Sequence, residues 1–255
     1  MLKIIRYVMA DILRSRIIIV YTLLLLAISM SIFNLEDNAA KGLLSMLNII
    51  LIIVPLVSLI LSTIYMYNSS EFIELLLSQP IRRGQLLFSI YAGVCFSLLV
   101  AFTIGAALPI IILVGNPTAY MMALAGLILT AIFVAIAVLG SVITRDKAKG
   151  IGIAIMLWLY FSLFYDAFML LLMFQFGDYP LEKPMLLLCS LNPVDLARIV
   201  ILLQMDISAL MGYTGALYQQ FFGSSTGITF SISLMMVWLA MPLWFSNRLF
   251  RRKDL

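Results

Sequence analysis

Residues 43–67 read LLSMLNIILIIVPLVSLILSTIYMY, twenty-five positions without one charged side chain. At about 1.5 Å of rise per residue a helix of that length exceeds the roughly 30 Å hydrocarbon core of a bilayer, and a charge-free apolar run of this size reads as a membrane-spanning helix. Pro55 sits in its middle and predicts a kink, because proline lacks the amide donor of an interior turn. On either side the same pattern recurs. Residues 17–33, 86–114, 119–143, 151–176 and 227–246 are five further apolar runs, of which 86–114 is long enough to tilt or to bend near Pro109. Apolar residues make up 64% of the 255 positions and charged ones 11%, a balance that no single water-soluble core of this size could bury. The fold class is all-α: an integral membrane protein with six transmembrane helices.

The flanks orient these spans. Residues 2–14 alternate at helical spacing, with Ile5, Met9, Ile12 and Leu13 on one stripe and Lys3, Arg6 and Arg14 roughly opposite. That pattern predicts an interfacial amphipathic helix over 1–15 ahead of the first span. No small-residue cleavage site follows the first span, where NLEDNAAK stands instead, so it reads as an uncleaved anchor. Thirteen of the sixteen Lys and Arg residues fall at the N-terminus, in the 68–85 and 144–150 connections, and in the tail NRLFRRKDL. Lys41, Lys183 and Arg198 fall on the other side, joined there by Glu36, Asp37, Asp178, Glu182, Asp195 and Asp206. The basic side marks the cytoplasm, which predicts a multi-pass protein with both termini inside. The net charge of +4 thus reports topology, and nucleic acid is not expected as a partner.

Several function classes fall away. The chain has no histidine, which removes imidazole metal sites, histidine bases and HExxH chemistry. No GxxxxGK[ST] or GxGD occurs, so no nucleotide-binding loop is predicted, and without a histidine base no intramembrane hydrolase and no catalytic residue is assigned. The two halves show no inverted repeat of the kind secondary carriers use. Cys95 lies in a span and Cys189 outside, too far apart for a disulfide. Methionine is abundant at sixteen positions, and Met169 and Met173 stand one helical turn apart. Thioethers are soft Cu(I) ligands, but methionine is also a common gap-filler in apolar packing, and no metal site is assigned.

Three features remain as candidates. The connection EFIELLLSQPIRRGQ (71–85) predicts a short amphipathic helix, with Glu71, Glu74 and Ser78 on one face and Phe72, Leu75 and Leu76 on another, stopped by Pro80 and followed by Arg82 and Arg83. Such a helix either lies on lipid or docks into a groove of a cytoplasmic protein. Asp166 is the one ionisable residue deep inside a span, where a carboxylate costs about 2.5–3.5 kcal/mol on insertion scales. It could bind a cation, pair across a dimer interface, or hydrogen-bond a neighbouring Tyr or Ser. The less apolar segment 177–226 predicts short helices outside the membrane, one of them started by Asn192-Pro193 with Asp195 in its first turn. Gly212, Gly215 and Gly223 supply turns there, and Tyr213 and Tyr218 are candidate aromatic anchors for a partner.

An acidic residue followed by E-L-L-L-S-Q-P and R-x-Q-L, behind an amphipathic N-terminal helix and among six spans, resembles the coupling helix of ABC type-2 permeases. The entry NSSEF departs from the several consecutive carboxylates usual there. LNPVDLARI (191–199), ALMGYTGA (209–216) within DISALMGYTGALYQQFFG, and the Tyr165-Asp166 pair narrow the resemblance to the permeases of nitrous oxide reductase maturation transporters. The resemblance covers the whole chain and implies one permease domain over 1–255. It has an elbow helix at 1–15, a coupling segment at 68–85 and a periplasmic segment at 177–226. It implies a bacterial inner-membrane protein paired with a second copy of itself and with two copies of a cytoplasmic ABC ATPase. The ATPase, not this chain, would hold ATP and Mg. A periplasmic β-helical copper-delivery protein would complete the assembly, whose task would be copper delivery to the reductase. In that reading Glu71, Phe72, Glu74, Leu75, Gln79, Pro80, Arg82 and Arg83 contact the ATPase. Asn192, Pro193, Asp195, Arg198, Gly212, Tyr213, Gly215 and Tyr218 would dock the periplasmic partner.

Overall fold

The structure, a computed structural model, describes residues 2–36, 38–78, 81–176, 188–205 and 225–252. An amphipathic helix α1 (Leu2–Leu13) leads into α2 (Arg16–Leu35), α3 (Ala39–Asn68) and the short α4 (Ser70–Leu77). Helix α5 (Arg83–Phe102) continues through a π-turn (Thr103–Ala107) into α6 (Leu108–Val114), and α7 (Pro117–Ile143) returns. Helix α8 (Lys147–Leu159) likewise runs through a π-turn (Tyr160–Phe164) into α9 (Tyr165–Gln175). After the residues not described come α10 (Pro193–Gln204) and α11 (Ser225–Arg252). Six helical stretches are long and apolar enough to cross a membrane: Arg16–Leu35, Ala39–Asn68, Arg83–Val114, Pro117–Ile143, Lys147–Leu172 and Ile228–Arg251. The six expected spans are therefore present, and among the described residues there is no strand.

Capping chemistry starts these helices where the sequence turns polar. Asn38 Oδ1 accepts from the Ala40 amide, Asn116 Oδ1 from Ala119, and Asp146 Oδ1 from Lys149, each satisfying a free first-turn donor. Gly115 closes α6 at φ 62°, a left-handed conformation glycine adopts without strain, and Pro117 opens α7 with its fixed φ.

Helix α7 is the axis of the bundle. Its most apolar window is 78% buried against 22% for α2 and 17% for α11, and it packs on α3, α5, α10 and α11. The helices at the rim leave broad apolar faces for lipid or another chain. Helix α1 packs along α5: a Cβ on Gly93 would lie 2.6 Å from a Val8 methyl, so only glycine admits this approach. The stripe that α1 buries is centred on Val8 and Ile12, with Ile4, Ile5, Met9 and Leu13 half-buried at its margins.

The prolines act through their missing amides. Pro55 lies inside an unbroken α3 and cannot donate to the Leu51 carbonyl four residues before it, and the Trp158 indole donates to the adjoining Ile52 carbonyl at 3.0 Å. Pro109 cannot donate to the Gly105 carbonyl four residues before it; the π-turn falls here, and the Ser29 hydroxyl donates to that carbonyl at 3.1 Å.

Residues 193–204, expected in an outer segment, form α10, which is buried nearly all round, packed against α7, α11, α3 and the second π-turn. Its sequence PVDLARIVILLQ is apolar on every side but one, which is the composition of a core helix.

Candidate functional site

Two clusters gather the polar residues that packing alone does not explain. The first lies at the end of the bundle that carries α4 and the basic connections. A single residue, Ser69, separates α4 from α3, its ψ of 11° breaking the helical path. Two turns follow. Ile73 is buried, Leu76 and Leu77 are half-buried, and Phe72 lies against Tyr7 of α1 with ring centroids 5.1 Å apart. Glu71, Glu74, Leu75 and Ser78 face outward at i, i+3, i+4 and i+7, and Leu75 is 68% exposed. The grouping of Phe72, Leu75 and Leu76 on one face is thus corrected. In a helix of two turns the packing against α1, α3 and α5 decides the rotation, and Leu75 ends up beside the carboxylates. The Ser78 amide and hydroxyl close the helix onto the Glu74 and Leu75 carbonyls. Gln79 and Pro80 lie outside the described residues. Exposed Arg82 stands in extended conformation as the N-cap of α5, and Arg83 is its first residue.

Behind α4 the ends of α3 and α8 are latched. The Tyr67 hydroxyl donates to the Thr144 carbonyl at 3.0 Å, and Lys147 Nζ donates to Asn68 Oδ1 at 2.7 Å. A Cβ at Gly150 would meet the Tyr67 hydroxyl at 2.1 Å, so the two helices touch at a glycine. A cavity of about 400 Å³ opens between α4 and this latch, with Glu74 on one wall and Arg145 on another. The sequence reading found α4 but not Tyr67, Asn68, Lys147 or Gly150. The one local signal was Asp146, an N-cap that fixes where α8 begins.

The second cluster joins α10 to the middle of the fifth span. Asn192 caps α10 by accepting from the Val194 amide at 3.0 Å. Its side-chain amide donates to the Phe161 carbonyl at 2.9 Å, inside the π-turn, and to Asp195 Oδ2 at 3.0 Å. One turn on, Arg198 forks onto Asp166 with contacts of 2.9 and 2.6 Å, and its Nη1 also reaches Asp195 Oδ1 at 3.1 Å. The parallel two-bond geometry is the strong form of an arginine–carboxylate pair. Tyr165 donates to the Leu188 carbonyl, and the Trp238 indole donates to the Ser190 carbonyl at 3.1 Å.

This arrangement corrects two expectations. Asp166 is not a lone intramembrane charge; its partner is Arg198, from a helix the sequence reading placed outside. Asn192, Pro193 and Asp195, expected on a docking face, are buried, and Arg198 is turned to Asp166, so their side chains hold α10 to the fifth span. Gly212, Tyr213, Gly215 and Tyr218 lie outside the described residues. Cys95 and Cys189 are both buried, with no disulfide between them. Met169 is buried, on the helix that carries Asp166.

Six spans, an amphipathic lead-in packed on the third, and a short helix exposed between the second and third define a permease of the ABC-2 class. The chain belongs to that family: residues 2–255 match the ABC-2 family transporter protein. Two relatives are similar along much of its length. The probable ABC transporter permease protein NosY of Pseudomonas aeruginosa is 30% identical, with 97% of this chain and 96% of the relative covered. The protein of the same name from Stutzerimonas stutzeri is 28% identical over 79% of this chain and 76% of its own. Membership makes the chain a multi-pass subunit of an ABC transporter, a class whose permeases work with an ATPase partner.

Proposed function

We propose that this permease is a mechanical relay that transmits ATP-driven movement from a cytoplasmic ATPase to a periplasmic partner delivering copper for nitrous oxide reductase maturation. The observation that carries the reading is the exposed face of α4, Glu71, Glu74, Leu75 and Ser78, on a helix joined directly to two spans. The similarity to NosY permeases along 97% of the chain supplies the copper context. The basic end of the bundle is the cytoplasmic side of a bacterial inner membrane, both termini lie there, and the working unit pairs two copies of this chain with two ATPases.

A contiguous set of contacts supports a relay. Movement of α4 is felt by α3 through Ser69, by α8 through the Tyr67–Thr144 and Lys147–Asn68 bonds, and along α8 at the π-turn. There Asn192 and the Asp166–Arg198 pair tie the fifth span to α10, and α10 leads into the outer segment. Rigid helices with two arrangements are what such coupling needs. The nearest competing reading, an exporter that passes a substrate, would use Asp166 to line a passage, but both oxygens of that carboxylate are taken by one guanidinium.

The test is co-expression with the ATPase and the periplasmic protein. Leu75→Asp should lose the ATPase on purification and leave the reductase poor in copper, with unchanged permease level in the membrane. Normal ATPase recovery and copper loading would refute the relay.

A further inference from the structure

The first turns of α5 and the last turns of α11 enclose a cleft of about 220 Å³ that neither cluster above uses. Its trough is apolar and aromatic. Phe88 and Trp244 are each 56% exposed along it, Leu87 and Leu243 form its walls, and Tyr91 closes its deep end while its hydroxyl donates to the Ala131 carbonyl. Its rim is cationic. Arg248 lies over the Trp244 ring at 5.5 Å from the centroid, and Arg251 Nε donates to Asn247 Oδ1 at 3.2 Å. Arg251 and Asn247 reach across onto the α5 backbone at Gly84, where a Cβ would fall 2.5 Å from the Asn247 oxygen and 3.0 Å from an Arg251 nitrogen. Arg82 and Arg83 begin α5 beside them, and neither α5 nor α11 carries an acidic residue.

A guanidinium is the side chain best matched to a phosphate, binding two of its oxygens at once. The apolar trough below it lies among the residues of a span, so the ligand must carry a chain as well as a charge. A soluble anion would leave Phe88 and Trp244 in contact with water. Tryptophan and arginine are also the side chains that settle at the headgroup level of a bilayer. We propose that this cleft binds one anionic phospholipid, with its phosphodiester held by Arg248 and Arg251 and an acyl chain along Phe88 and Trp244. Because the cleft spans α5 and α11, the lipid would bridge the segment leading out of α4 and the last span.

The experiment uses the full-length permease, purified in a neutral detergent and titrated with phosphatidylglycerol or with phosphatidylcholine of the same acyl chains, read by native mass spectrometry. One phosphatidylglycerol should be retained with roughly tenfold preference, about 1.4 kcal/mol. The Arg248→Gln/Arg251→Gln variant should lose that preference, and Arg14→Gln should keep it. Equal retention of the two lipids by the unmodified protein, or unchanged preference in the double variant, overturns the proposal. Displacement of the lipid by millimolar inorganic phosphate would mark a plain anion site and also overturn it. So would loss of the ATPase on co-purification of the double variant with lipid preference intact, since the face would then belong to that partner. Should the double variant not fold, vesicles decide the matter. Brominated phosphatidylglycerol should quench tryptophan emission more than brominated phosphatidylcholine, and Trp244→Phe should erase the difference. Equal quenching by both lipids overturns the proposal.

Discussion

Asp166 and Arg198 show what a charge inside a membrane bundle requires. A carboxylate withdrawn from water is tolerated when a cation of matching shape meets it, and removing one partner is far costlier than removing both. The pair is 28–30% exposed, which softens the effect. Arg198→Leu should therefore destabilise the purified permease by about 1–3 kcal/mol, because it leaves Asp166 and Asp195 facing each other without their cation. Adding Asp166→Leu should restore part of that loss. Thermal unfolding in detergent across the single and double variants measures the coupling, and strictly additive losses would mean the pair is incidental. The sequence made Asp166 conspicuous, since it stands alone among apolar neighbours. Its partner was hidden, because Arg198 is thirty-two positions away in a segment whose composition reads as extramembrane. The Asn192 cap was legible from Asn-Pro, whereas the second use of its amide, on the Phe161 carbonyl, depended on a π-turn that no residue in YFSLF announces.

Among the elements, α4 repays the closest comparison, because two neighbouring apolar residues divide between inside and outside. Phe72 stacks on Tyr7 and belongs to the bundle; Leu75 is exposed beside Glu71 and Glu74. Phe72→Ala should therefore lower thermal stability, while Leu75→Asp should leave stability alone and cost about 2 kcal/mol or more in ATPase affinity, as truncation of a central anchor does. Affinity measured with the purified ATPase, beside melting curves, separates the two; equal effects of both variants on binding would contradict the assigned rotation. The spans themselves were readable from hydropathy because each is an apolar run, charge-free except for Asp166 in the fifth, bounded by basic or turn residues. The rotation of an eight-residue helix was not, since its stripe holds too few positions and its neighbours choose the face. The burial of α10 was likewise unreadable, because an apolar helix of twelve residues is too short to span a bilayer and is equally at home in a cap or a core.

At the scale of the whole molecule the question is whether metal passes through the bundle or motion does. A conduit would need soft ligands in series, each releasing the ion to the next. The chain has no histidine, its two cysteines are separate and buried, and buried Met169 lies on the helix that carries Asp166. A relay needs continuous packing and a surface at each end instead. The α4 face, the Tyr67–Gly150 contact, the π-turn and the Asp166–Arg198 pair form such a series. Sidedness is tested first: in sealed cells a thiol at Asp37→Cys should react with an impermeant reagent, and Lys147→Cys should not. With the orientation secured, Met169→Leu/Met173→Leu should leave copper content of the mature reductase nearly unchanged, because the swap roughly conserves volume and costs under about 1.5 kcal/mol. Gly150→Ala should reduce it. A methyl group at that position displaces the Tyr67 ring, breaks the bond to Thr144 and loosens α8 from α3, at a distance from any candidate ligand. Tyr67→Ala in the same chain relieves the clash without restoring the bond, so it should recover thermal stability but not copper loading. Copper content of the reductase, at matched permease levels, decides between the two. Loss of copper with the methionine pair and full loading with Gly150→Ala would establish a conduit and end the relay.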